Sequence, residues 1–241
     1  MSTHSQRLRG TMALMRGRLN SLIKQVWFHP RLGELFPEFL FAMYGITLAT
    51  APAMRMAAER CASMADEDPL AASLRSYYMH HAAEETGHEE ALLVDLTSLG
   101  VPREQVLRRV TYPSVAALVG TQYYWMLHAH PVAYLGYLVV GEDPASLEFL
   151  ETVSTRTGIP LSSMTCHVMH ADLDPAHVEE LDATLDALPL AAWHQDLIAV
   201  NAIATVAHLE KIFTDILEHF NRIDNSANAG TIFTSAGPVF A

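Results

Sequence analysis

Three potential metal ligands, His170, Asp174 and His177, stand at i, i+4 and i+7 in the octet His-Ala-Asp-Leu-Asp-Pro-Ala-His. At 3.6 residues per turn these offsets are about 40° and 20° from eclipsed, so one helix face presents all three. Neutral imidazole combined with carboxylate suits iron, manganese or zinc. With 13 histidines in 241 residues, one such pattern alone is equally well a solvated helix turn. Its weight depends on a second cluster.

That cluster lies in residues 80–90, His-His-Ala-Ala-Glu-Glu-Thr-Gly-His-Glu-Glu. Glu85 and His88 have the Glu-x-x-His spacing that di-iron carboxylate bundles project inward. His81 is one turn earlier on the same face, and Glu84 lies four residues before His88. Side chains at 84 and 85 on an unbroken helix diverge by about 100°, so only one can face a metal pair. Glu85 is the expected ligand. Gly87 inside this pattern predicts a local distortion or close backbone approach. Glu142 ends an apolar run and, if turned inward, requires a cation as partner. Glu85, His88, Glu142, His170, Asp174 and His177 then form a set of three histidines and three carboxylates. Its charge of about −3 offsets most of two divalent ions.

The elements that would position these residues are all helical. Helices are predicted over 6–28, from after Pro37 to about 64, 69–98, 114–128, 131–142, 145–157, 161–172, 175–187 and 190–220. No strand alternation, repeat, phosphate loop or nucleophile elbow interrupts them. The expected organisation is all-α, with one domain over residues 1–220 and a loose tail over 221–241.

Half the residues are hydrophobic, enough for a substantial core, and the formal charge is −12. That charge argues against a nucleic-acid partner and favours attraction of cations. Cys61 and Cys166 form no framework of bridges, there is no secretory signal pattern, and a reducing cytoplasm is the expected location. Residues 110–141 contain no Asp, Glu, Lys or Arg. Pro113, Gly120, Gln122, His128, His130, Pro131 and Gly136 break that run into two buried helices, so no membrane partner is expected. Pro52 and Arg55 support the same reading of the earlier apolar run over 39–54.

Taken together, the Glu84-Glu85-Thr86-Gly87-His88 stretch, His130-Pro131-Val132 to Gly136-Tyr137 leading into Glu142, and the His170 to His177 octet resemble the haem-oxygenase-like di-iron oxidase and oxygenase family, also called iron-containing redox enzymes. The resemblance covers residues from about 38 to 220. It implies a helical bundle of about seven core helices, usually a homodimer, that binds two irons and activates O2 with an external electron donor through a peroxo-di-iron(III) intermediate. Members desaturate, cleave C–C bonds or oxygenate nitrogen in small-molecule biosynthesis. Residue by residue, it implies Glu85 and His88 as the first ligands, Glu142 as the middle one, and His170, Asp174 and His177 as the last three. Some members carry a further carboxylate earlier on the same helix; here His81 occupies that region as an additional ligand candidate. Haem itself is not implied.

Tyr123, Tyr124 and Trp125 are candidates for lining a substrate pocket, as is His128, while His167 could orient His170 by a hydrogen bond. Arg156 is the only basic residue between Val110 and Glu210, and Arg55, Arg60 and Arg75 are the remaining candidates for binding a carboxylate. This scarcity favours N-oxygenation of a small, heteroaromatic amine to a hydroxylamine, nitroso or nitro product. The alternatives are a di-iron oxidase that cleaves or desaturates an amino acid or fatty acid, a thiamine-salvage-like hydrolase using a cysteine, and a non-catalytic metal-binding bundle.

Overall fold

A computed structural model of the chain describes residues 2–142 and 145–228, without the side chains of Asp174 and of residues 223–228. The described residues form eleven α-helices, two 3-10 turns and no strand. In chain order the helices are α1 (His4–Met15), α2 (Gly17–Trp27), α3 (Leu32–Ala62), α4 (Ala71–Glu84), α5 (His88–Ser98), α6 (Arg103–Arg108), α7 (Pro113–His128), α8 (Tyr134–Gly141), α9 (Leu147–Thr157), α10 (Thr165–Ala187) and α11 (Ala192–Asn228). The all-α, single-domain expectation holds.

Boundaries shift where packing outweighs local propensity. Helix α3 begins five residues before Pro37 and runs through both Pro37 and Pro52. An interior proline costs about 3 kcal/mol. Burial of Leu32, Leu35, Phe36 and Phe39 offsets this at about 1.5–3 kcal/mol per side chain. The segments expected at 161–172 and 175–187 are likewise one helix, α10, with Pro175 inside it. Conversely, 6–28 is divided at Arg16, and 69–98 at Gly87, whose φ of 101° is left-handed. Helix α6 was absent from the sequence reading. Helix α11 continues to Asn228, beyond the expected start of the tail, and residues 229–241 lie outside the described residues.

Helix α3 forms the spine, packing on α4, α5 and α7, while α11 packs on α8, α7 and α2. These two helices are long and apolar enough to cross a membrane by composition. Both serve here as core helices: Leu35, Phe36, Phe39 and Leu40 of α3, and Ile198, Ala202, Ile212 and Ile216 of α11, are buried. The α8–α11 contact is close because Gly136 has no side chain; a Cβ there would meet Ile198 O at 2.2 Å. Alongside, Asn201 donates to Ala133 O and Gln122 Oε1, a buried link from α11 to α7 and α8. Helix α10 lies across α5, α8, α9 and α1, and completes the wall that carries the histidine octet.

Candidate metal centre

The left-handed Gly87 decides how the first cluster is displayed. Glu85 caps α4 and His88 opens α5 after the break, with Arg55 donating to Thr86 at 2.7 Å. Glu85 still has helical backbone, with its N–H bonded to His81 O at 2.9 Å, so Glu84 and Glu85 diverge as on one helix while the turn at Gly87 repositions His88. Glu85 groups with His88 and His170, whereas Glu84 groups with His81 and His177. Within each trio the ligand atoms all lie within 4.8 Å of one another. The two carboxylates diverge, each toward a different histidine group, and Glu85 remains the expected ligand beside His88. Arg55, held by Thr86, and Arg60, held by Ser63, are occupied outside the centre.

In the first trio Glu85 Oε2 lies 3.1 Å from His88 Nδ1, and the His88 and His170 rings are 4.8 Å apart. Burial opposes ionisation of Glu85, but the His88 hydrogen bond and the surrounding His170 and His177 hold its carboxyl below the usual range. In the second trio Glu84 Oε2 is 3.3 Å from His177 Nε2 and 3.5 Å from His81 Nδ1. Glu142, the residue capping α8, reaches His177 Nδ1 at 3.6 Å. Burial, aided by His177, pushes His81 down to about 4, leaving a neutral imidazole fit to act as a ligand. Asp174 falls between His170 and His177 on α10, but its side chain lies outside the described residues.

These donors fit iron. His81 Nε2 and Glu84 Oε2 are buried and make no hydrogen bond to any described residue. Buried polar atoms without hydrogen bonds are costly, and a cation shared by the two side chains would offset that cost.

The register of α10 is set from α5. Asp95, completely buried, accepts from Thr165 N at 2.9 Å, from Cys166 N at 3.1 Å and from the Thr165 hydroxyl. It thus caps the start of α10 from the helix that carries His88, and places His170 against it. Asp95→Ala is expected to cost about 2–3 kcal/mol, since both amides lose a charged acceptor. A denaturant midpoint of the metal-free protein measures this, and metal analysis should show a weakened His88–His170 trio. An unchanged midpoint would show that the cap carries no energy.

A cavity of about 280 Å³ adjoins the first trio, with Glu85, His170 and Glu142 in its wall. Its remaining lining is largely apolar and includes Trp27, Phe39, Tyr137 and Phe213. The aromatic lining therefore does not come from the residues expected. Helix α7 turns Ser114, Val115, Leu118, Gln122 and Met126 inward. That leaves Tyr124 and His128 exposed, and Tyr123 and Trp125 half-buried away from the cavity. His167 does line it, but its ring packs edge-on to Trp27 and against Phe39, and its Nδ1 makes no hydrogen bond to a described residue. Burial pushes His167 down to about 4. Arg16, at the α1–α2 break, also lines the cavity and donates to Val140 O at 3.4 Å. The scan for arginines missed it because it precedes the metal-bearing segments by over sixty residues. Cys166 lines the cavity too, whereas Cys61 is sealed elsewhere and burial pushes its thiol up to about 12.

Comparison with solved structures gives the architecture its name. A domain of unknown function with a heme oxygenase-like fold from Shewanella denitrificans aligns over 97% of this chain and 96% of its own, with a TM-score of 0.75 and 19% identity. The fold is haem-oxygenase-like. A TenA homolog from Pseudomonas syringae pv. tomato aligns over 88% of this chain and 92% of its own, with a TM-score of 0.69 and 15% identity. No protein-family model matches the sequence, and no curated protein is similar to it. At these identities the likeness establishes the haem-oxygenase-like fold alone, and chemistry has to be argued from the side chains.

Proposed function

We propose that this chain is an O2-activating, non-haem di-iron oxygenase or oxidase of small-molecule metabolism. The observation that carries this reading is the pair of largely buried histidine–carboxylate trios, displayed from α4, α5 and α10, the first of them against the cavity. Glu85, His88 and His170 would hold one iron; His81, Glu84 and His177, with Glu142, would hold the other, and Asp174 is the further ligand that the resemblance implies. Glu84 raises the carboxylates to four, whose charge matches that of two Fe(II) and leaves no net ion buried. Two irons so held would supply the electrons and open coordination positions for reduction of O2.

The chain's own residues do the rest. Glu85, held as a carboxylate by His88, needs no proton removed before it can act as a ligand. His81 and His167 stay neutral for the same burial that keeps water away. Tyr137, pushed up to about 12 chiefly by burial, remains a phenol and offers the cavity a hydrogen-bond donor beside Glu85. Trp27, Phe39 and Phe213 exclude solvent and shape the pocket around an apolar substrate.

For the substrate, the largely apolar cavity suits oxidative cleavage or desaturation of an apolar carboxylate, such as a fatty acid or amino acid. N-oxygenation of a small, heteroaromatic amine is the second reading, supported by the aromatic lining and the scarcity of basic residues between Val110 and Glu210. A cytoplasmic homodimer served by an external electron donor accompanies this reading. The test is O2 consumption by the iron-loaded protein against a panel of fatty acids, amino acids and aromatic amines, with product analysis. Acceleration at least about tenfold by one class is expected. Uptake of iron without any substrate-dependent O2 consumption would leave a metal-binding bundle and refute the enzyme.

A further inference from the structure

The two trios differ in how an ion could reach them. Glu85 and His88 are buried, and the adjoining cavity, which Glu85 and His170 line, is largely apolar. A cation approaching that way would have to shed its water along a largely apolar wall. On the opposite side of Glu84 the side chains form a gradient from solvent inward. His80 is 55% exposed and Glu180 46%, Glu84 is 33% exposed, and His81 and His177 are 2% and 5% exposed.

The distances follow the same gradient. His80 Nε2 lies 3.8 Å from Glu180 Oε2 and 3.5 Å from Glu84 Oε1. The other oxygen of the same carboxylate, Glu84 Oε2, faces His81 and His177 at 3.5 and 3.3 Å. Glu180 Oε2 also reaches inward, lying 3.6 Å from His81 Nε2. Such gaps are too long for good hydrogen bonds. All but the 3.8 Å His80–Glu180 gap match the roughly 3–3.6 Å between two donors that share a metal at bonds of about 2.0–2.2 Å. His81 Nε2 and Glu84 Oε2, buried and without hydrogen bonds to described residues, are the inner end of this series.

We propose that His80, Glu84 and Glu180 form the entry port through which a divalent transition-metal ion is captured from solvent and passed to His81 and His177. Glu84 and Glu180 each straddle the outer and inner positions, so the ion exchanges one ligand at a time and always keeps a carboxylate. The overall charge of −12 supplies the attraction. The proposal rests on the metal centre described above.

Co(II) is the probe, its uptake by the metal-free full chain followed by stopped-flow absorbance, with metal content measured at equilibrium. The double variant His80→Ala/Glu180→Gln should take up Co(II) about tenfold more slowly, with a flatter dependence on salt, yet reach two ions per chain. Glu180→Gln alone should show the smaller part of the same slowing. Both side chains are exposed enough for far-UV helicity to be retained. An unchanged uptake rate would overturn the port. Loss of one ion at equilibrium would also overturn it, by making these residues permanent ligands. Failure of the unaltered chain to bind Co(II) would refute the centre itself, a result distinct from either.

Discussion

His88→Ala and His177→Ala are each expected to reduce the metal content of the anaerobically loaded protein from two ions per chain to one. The ion lost should differ: His88 serves the trio with Glu85 and His170, His177 the trio with His81 and Glu84. O2 consumption should fall by about two orders of magnitude or more in both, since even groups that merely orient a metal ligand are worth about 10–100-fold. Helicity should survive, because the rest of α5 and α10 is anchored by Leu92, Leu96, Leu181 and Leu185. Metal analysis with an oxygen electrode reads both quantities. Two ions and undiminished O2 consumption in His177→Ala would remove the octet from the centre. Glu84→Ala and Glu85→Ala extend the same experiment: each should lose metal, and the two losses should be separable in the spectrum of the remaining ion.

Gly136→Ala should be the most damaging single methyl in the fold. The added Cβ would stand 2.2 Å from Ile198 O and 2.9 Å from Ala202 N, both backbone atoms of α11. No rotamer change relieves a clash with backbone, so α8 and α11 must separate. Overpacking of this kind costs about 3 kcal/mol or more. At 2–4 °C per kcal/mol for a chain of this size, the melting temperature should fall by about 6–12 °C. Because Glu142 caps α8, the displacement should also weaken metal binding at the His177 trio. Gly120→Ala is the control. That position has open space and lies within α7, so alanine should raise stability by up to about 1 kcal/mol through helix propensity. Equal melting temperatures for Gly136→Ala and the unaltered chain would show that the helices are not in this register.

Much of the site could be read from spacing because helical periodicity is a local property. The offsets within Glu85-x-x-His88 and within the octet turn ligands to one face whatever surrounds them, and the absence of alternation gave the all-α class for the same reason. Local rules also located Gly87 as a distortion. They could not say what the distortion does: with φ at 101° it separates α4 from α5 and brings His88 beside Glu85. Asp95 was likewise invisible, since an aspartate on α5 becomes the cap of α10 only when the two helices dock.

The pocket lay furthest beyond the sequence. Tyr123, Tyr124 and Trp125 are adjacent in the chain, so at 100° per residue they cannot share one face, and α7 gave its inward face to Val115, Leu118 and Met126. The aromatic wall was assembled instead from α2, α3, α8 and α11, through Trp27, Phe39, Tyr137 and Phe213, together with Arg16 from the α1–α2 break. The sequence by itself determined the helices, their inward ligand faces and the donor chemistry, because each depends on residues within two turns. Which carboxylate meets which histidine, and what the cavity presents to a substrate, depend on contacts between residues tens to hundreds of positions apart, and these only the packing of the bundle decides.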